Sequence, residues 1–196
     1  MARCARVTAT QWSPEMNDQL QDKVRAKRLI VEIICQAGGE FHNKTNLFKA
    51  FWMAHLCYAK DIPDYLSFWP IVKMPKGPEI HDFDTLIGEL IADGVLEIDE
   101  VERGEFSGFI FTLTEKDGSV EALPDNEISA ILEGVKFVKG KTATNVSDDS
   151  HELSRSWNSA SFGEELNIYV DLLSETEYQS KMDKLRHLTE IAATQS

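Results

Sequence analysis

Phe83-Asp84-Thr85-Leu86-Ile87-Gly88-Glu89-Leu90-Ile91-Ala92-Asp93-Gly94-Val95-Leu96 changes its hydrophobic period part-way along. Phe83, Leu86, Ile87, Leu90 and Ile91 recur at i, i+3, i+4, i+7 and i+8, which puts one apolar stripe on a helix over about 80–93. Asp93-Gly94 ends that helix, because glycine accepts the left-handed conformation that closes a last turn. Beyond it Leu96 alternates with Ile98, and Phe109, Phe111 and Leu113 fall two apart, with Arg103-Gly104-Glu105 between the two runs. Period two on both sides of a polar turn predicts a half-buried hairpin, with strands over about 95–101 and 106–114.

Upstream, Leu20, Val24, Val31 and Ile34, widened by Ile30 and Ile33, mark a first helix that starts near Asn17 and stops at Gly38-Gly39. Asn43 or Thr45 caps a second helix to about Lys60, with Phe48, Phe51, Trp52, His55 and Ala59 at helical spacing. Pro63, Pro70, Pro75 and Pro78 forbid its continuation. Tyr65, Phe68 and Trp69 are too many aromatics for a solvated linker, so this loop is expected to pack on the core. Downstream, Ile128, Ile131, Leu132, Val135 and Val138 give a fourth helix over about 125–139, and Thr142 or Thr144 caps a short acidic helix to about Leu153. A loop then carries Trp157 and Gly163, residues 166–173 read as a strand or extended packing segment, and 175–192 as a weakly amphipathic terminal helix. Helix, helix, hairpin is a winged-helix-like order in the centre. The expected class is mainly α (α+β): a helical core with one β-hairpin, organised as a loose N-terminus (1–16), a single domain (17–173) and a C-terminal helix (174–196).

The chain has 196 residues, 42% hydrophobic and 27% charged, enough for one core that needs neither disulfides nor metal. Cys4, Cys35 and Cys57 contain no C-x-x-C pair, and Cys35 and Cys57 read as buried thiols on helices, so a reducing cytoplasm is expected. No apolar leader and no run of 18 apolar residues occurs, so membrane association is not expected. The net charge of −13, from 33 acidic against 20 basic residues, repels phosphate backbones and disfavours nucleic acid. The main basic group, Lys23, Arg25, Lys27 and Arg28, reads as a solvated helix face, with partner or nucleic-acid contact as the sharper alternative.

The distinctive catalytic patterns, G-x-S-x-G, a Walker loop, G-x-G-x-x-G and H-E-x-x-H, do not occur. His55 reads as a hydrogen-bonded core histidine, His42 as a cap or turn residue, and His81, beside Asp82 and Asp84, as part of a helix start. Ser147-Asp148-Asp149-Ser150-His151-Glu152 could be drawn as a cation site or acid/base pair, but ligands one and two apart on a helix point in different directions. His151 is expected to hold the Trp157 loop instead. No catalytic residue, metal or cofactor is assigned, and the chain is read as a non-enzyme; a hydrolase built on His151, Asp148 and Asp149 is the last-ranked reading.

Four stretches carry a family resemblance. They are the aromatic, alanine and histidine cluster from Asn46 through Lys49 and His55 to Tyr58; Lys76-Gly77-Pro78 after Trp69; Leu90-Ile91-Ala92-Asp93-Gly94-Val95-Leu96; and the segment from Ile128 through Val146-Ser147 and Ser150-His151-Glu152 to Trp157. In order and spacing they resemble the Panacea domain, formerly a domain of unknown function, over roughly 26–172. Glu79 departs from the valine that often follows the family's Gly-Pro, and Ala59-Lys60-Asp61 lacks its usual glycine. The resemblance implies an antitoxin of bacterial or prophage origin that neutralises a cognate toxin by direct binding, with an acidic surface suited to a basic toxin. It makes His55, Gly77, Pro78, Gly94, His151 and Trp157 family-motif positions of structural type. Trp69, Lys76 and Phe106 are the residues offered to a partner; the oligomeric state is left open. The alternative is a winged-helix-like DNA-binding regulator using the first helix or the hairpin tip at Arg103, opposed by the net charge and by Glu100, Glu102 and Glu105.

Overall fold

A computed structural model of the chain describes residues 14–103, 106–114 and 122–194. Helix α1 (Pro14–Gln36) leads through Gly38-Gly39, both at positive φ, into the short strand β1 (Glu40–His42). Helix α2 (Lys44–Asp61) follows, with Asn43 Oδ1 accepting the Thr45 N–H at 2.8 Å. A hairpin of β2 (Ile71–Met74) and β3 (Gly77–Ile80) precedes α3 (Phe83–Ala92), and β4 (Leu96–Arg103) and β5 (Phe106–Leu113) form the second hairpin. Then come α4 (Asp125–Val138), α5 (Ala143–Leu153), the one-turn α6 (Arg155–Ser159), a 3-10 turn (Ile168–Val170) and α7 (Glu175–Thr194). The fold is mainly helical with a small antiparallel sheet, an α+β arrangement.

Helix α2 is the axis of the core. Leu47, Ala50, Phe51 and Trp52 are fully buried, because α1, α4, α5 and β3 all pack on this helix. The main sheet runs β1-β5-β4, with Phe41 opposite Phe111 and Leu96 opposite Leu113, and buries Phe41, Leu96 and Phe111 against the helices. Phe109, expected on the same inner face, lies towards the hairpin tip and is exposed. Outward positions of β4 carry the exposed carboxylates Glu97 and Asp99, and Glu100, opposite Phe109 towards the hairpin tip, is exposed as well.

Several expectations need correction. The proline-rich connection contains the β2–β3 hairpin, because Pro78 pairs with Lys73 at a site where its carbonyl turns away from β2, so its missing N–H costs no ladder bond. Residues 163–166 extend that hairpin: Leu166 N–H donates to Ile71 O at 2.7 Å, and Lys73 N–H to Glu164 O at 2.9 Å. Ile80 belongs to β3, so α3 starts at Phe83. Leu20 is exposed; the residues of α1 that enter the core are Ala26, Leu29, Ile30, Val31, Ile33 and Ile34. The basic group on α1 is not a solvated face. Lys23 and Lys27 pair with Glu89, Lys27 also reaches Asp93 at 3.5 Å, and Arg25 pairs with Glu127 at 2.6 Å, since carboxylates of α3 and α4 lie opposite. His42 lies in β1 and pairs with Glu40, leaving the cap to Asn43. Cys35 and Cys57 are half-buried, Trp157 sits on α6, and the 166–173 segment contains a 3-10 turn.

Helix α7 is held at its first turn by Arg155, which pairs with Glu175 at 2.9 Å and lies 5.5 Å from the Tyr178 ring centroid. Leu185 and Leu188 further along are exposed. Among the described residues no helix is long and apolar enough to cross a membrane.

Candidate functional site

Gly77, Pro78 and His151 gather near Lys49, and Trp157 joins them by stacking on His151. This lysine, on the inner face of α2, is fully buried, and its ammonium donates to the Pro78 carbonyl at 2.8 Å. Burial lowers its pKa to about 7; Glu79 pulls the other way and Lys76 adds to the depression. Glu79, half-buried in β3, is itself raised by burial, with Lys49, Lys44 and Lys76 opposing. Gly77 has φ +99°, and a Cβ there would stand 2.5 Å from Ser150 Oγ and 2.9 Å from Lys49 Cε. Ser150, fully buried on α5, donates to Ser147 O at 2.7 Å. The turn glycine thus permits close approach of α2, the hairpin and α5.

At the next position of α5, His151 stacks on Trp157 with centroids 3.9 Å apart and planes 10° from parallel. Trp157 is positioned by α6, whose start is capped by Ser154 Oγ on the Trp157 N–H (3.1 Å) and by Asp171, which accepts the Ser156 N–H at 2.6 Å. Its indole N–H donates to Met74 O at 2.9 Å, and Lys73 Nζ lies 4.6 Å from its ring centroid while donating to Ala160 O. Burial, Lys49 and Lys73 depress the His151 pKa, with Asp148 opposing, and its Nε2 is enclosed without a hydrogen-bond partner. Lys49 is the member that residue-by-residue reading passed over, although a lysine between Phe48 and Ala50 on a helix apolar all round was a visible signal.

The remaining motif positions lie elsewhere. His55 is buried in α2: its Nδ1–H donates to Phe51 O at 2.8 Å, so Nε2 accepts from Ser67 Oγ at 2.9 Å. Burial lowers its pKa to about 4, opposed by the Phe51 bond and assisted by Arg25. Gly94 closes α3 at φ +65°. His81 is exposed and Asp149 pairs with Lys141 at 2.8 Å; among the described residues no three His, Cys, Asp or Glu side chains gather as a metal site.

Of the three partner-facing candidates, Lys76 is exposed at the β2–β3 turn, and the Phe106 side chain, like that of Arg103, lies outside the described residues. Trp69 is half-buried on the core, with its indole N–H donating to His81 O at 2.8 Å. Its neighbours are more open. Phe68 is 62% exposed and Tyr65 37%, with ring centroids 5.0 Å apart, and Tyr65 meets Tyr169 edge to face at 4.9 Å. With Glu165 they enclose a cleft of about 160 Å³ floored by His55 and Ser67. No protein-family model matches the chain, and comparison with curated proteins and with solved structures likewise finds no match.

Proposed function

We propose that this chain is an antitoxin-type protein of the bacterial cytoplasm that neutralises a cognate toxin by direct protein–protein binding. The observation that carries this reading is the aromatic surface of Tyr65 and Phe68 beside Trp69, left open to solvent on a chain of net charge −13. Clustered exposed aromatics are the material of binding hot spots. The acidic surface adds long-range attraction for a basic partner and speeds encounter. The antitoxin part draws on the resemblance to the Panacea family; Lys49, donating to the Pro78 carbonyl and packed against Gly77, ties α2 to the β2–β3 hairpin beside α5. The test is co-expression with each adjacent reading frame: relief of that product's toxicity, and a purified complex weakened by Phe68→Ala, are expected. Failure of every neighbour to be neutralised or bound overturns the reading.

A second reading has one observation in its favour. Three helices α1–α3 and a β1-β5-β4 sheet follow winged-helix-like order, an arrangement used for DNA binding. Here α3 carries Asp84 and Glu89, Asp93 follows it, and β4 presents Glu97, Asp99 and Glu100, all unfavourable towards phosphates. A gel-shift titration across salt concentrations discriminates: salt-dependent binding favours the regulator, and its absence is expected.

A further inference from the structure

The cleft beside Trp69 has a chemistry that selects its occupant. Two of its walls are the Tyr65 and Phe68 rings, tilted 40° to one another, and Glu165 stands at the rim on the segment that pairs with β2. Asp64, whose carboxylate accepts the Tyr65 N–H at 2.7 Å, adds a second negative charge next to that wall. The cations close by are already committed. Arg25 donates to Leu66 O at 3.0 Å and pairs with Glu127, and both ring nitrogens of His55 are hydrogen-bonded in the floor. Among the described residues no cation pairs with Glu165.

Aromatic faces with an unpaired carboxylate at their edge form a receptor for a cation. The π faces attract positive charge, and the carboxylate accepts hydrogen bonds from it. A guanidinium fits both demands, since it stacks flat on a ring and presents paired N–H groups to one carboxylate, whereas an ammonium is a compact, strongly hydrated point charge. We infer that the Tyr65–Phe68–Trp69–Glu165 cleft is the anchor pocket for an arginine side chain on a basic segment of a partner protein. The inference rests on the protein-binding reading and gives it a chemical address: the guanidinium lies against Phe68 and Tyr65 and bonds to Glu165. Because Phe68 and Glu165 are exposed, each can be changed without opening the core.

The experiment uses the full chain, isotope-labelled, titrated with the capped peptide acetyl-Gly-Arg-Gly-Arg-Gly-Arg-Gly-amide and its lysine and citrulline counterparts. Saturable shifts of the Trp69 indole N–H and of the 65–69 amides are expected with arginine, weaker with lysine and lost with uncharged citrulline. Phe68→Ala and Glu165→Gln should each weaken arginine binding about tenfold with unchanged circular dichroism, the size of a desolvated cation–π or charge-assisted contact. Equal binding of citrulline, shifts confined to another face, or undiminished affinity in both variants overturns the assignment. The same variants separate the two readings in the co-expression assay. A toxin complex that forms equally well with both variants removes the arginine pocket and leaves the antitoxin reading standing. Arginine-specific binding in the cleft, with no neighbouring gene product bound, does the reverse.

Discussion

At the crossing of α2 and α4, Gly134 faces the backbone of Ala50 so closely that a Cβ would stand 2.3 Å from the Ala50 carbonyl oxygen. The obstacle is backbone, which cannot swing aside as a side-chain tip does. Gly134→Ala should therefore force the two helices apart despite alanine's better helix propensity, with a loss of about 1–3 kcal/mol from overpacking. Urea unfolding measures it; a gain in stability would show that the helices do not meet here.

Gly77→Ala combines two costs, a strained positive φ and contact with Ser150 Oγ at 2.5 Å. Ser150→Ala removes only the second. In a double-mutant cycle the pair should be less destabilised than the sum of the singles, by about 0.5–3 kcal/mol. Strict additivity would mean that the hairpin turn and α5 are not in contact.

Lys49 sets an alkaline slope. Its folded-state pKa is about 7 against 10.5 for an ordinary lysine, so between these values the unfolded chain binds more protons and stability rises with pH. Below about 7 both states are charged and the burial penalty is fully felt. Lys49→Met should lose this slope, at most about 1.4 kcal/mol per pH unit, so the wild type gains on the variant from pH 7 to 10. Parallel stability curves for the two proteins would refute it.

His55 acts in the acid range with the same sign. Burial depresses its folded pKa to about 4 from 6.5, so protons favour the unfolded chain as pH falls through that window. Stability should decline from pH 6.5 towards 4, and His55→Gln should flatten part of that decline. An imidazole resonance assigned to His55 by its loss in His55→Gln, and titrating near 6.5 in the folded protein, would contradict this.

Helices α1 to α4 were readable because their apolar residues keep a 3.6 period, with Asp93-Gly94 ending α3, and α5 from its cap at Thr142, whereas the one-turn α6 is too short to show a period. Three structural facts were hidden for separate physical reasons. Strand β1 has only three residues, too few to show alternation. The β2–β3 hairpin holds prolines where the ladder asks for no donor, so composition alone spoke for a loop. The ion pairs of Lys23, Arg25 and Lys27 depend on how α1 lies against α3 and α4, which no local pattern encodes.

The site was legible in a different way. Gly77, Pro78, His151 and Trp157 are named by the resemblance together with His55 and Gly94, and in the structure Lys49 donates to the Pro78 carbonyl and lies against Gly77. The aromatic cleft was sensed at Trp69, but its more exposed walls are Tyr65 and Phe68. Exposure is decided by what packs on top, and the bridge from Glu165 to Val72 that completes the rim joins segments 93 positions apart.

The carboxylates along β4 bear on self-association. An unpaired strand invites another molecule's strand to dock on it, the first step towards aggregates. Two copies approaching along β4 would set Glu97, Asp99 and Glu100 against their counterparts, and mutual repulsion vetoes the pairing while those groups are ionised. Acidification towards the isoelectric point near 4.8 brings the net charge of the whole chain to zero, so turbidity should appear there first and be delayed at higher pH.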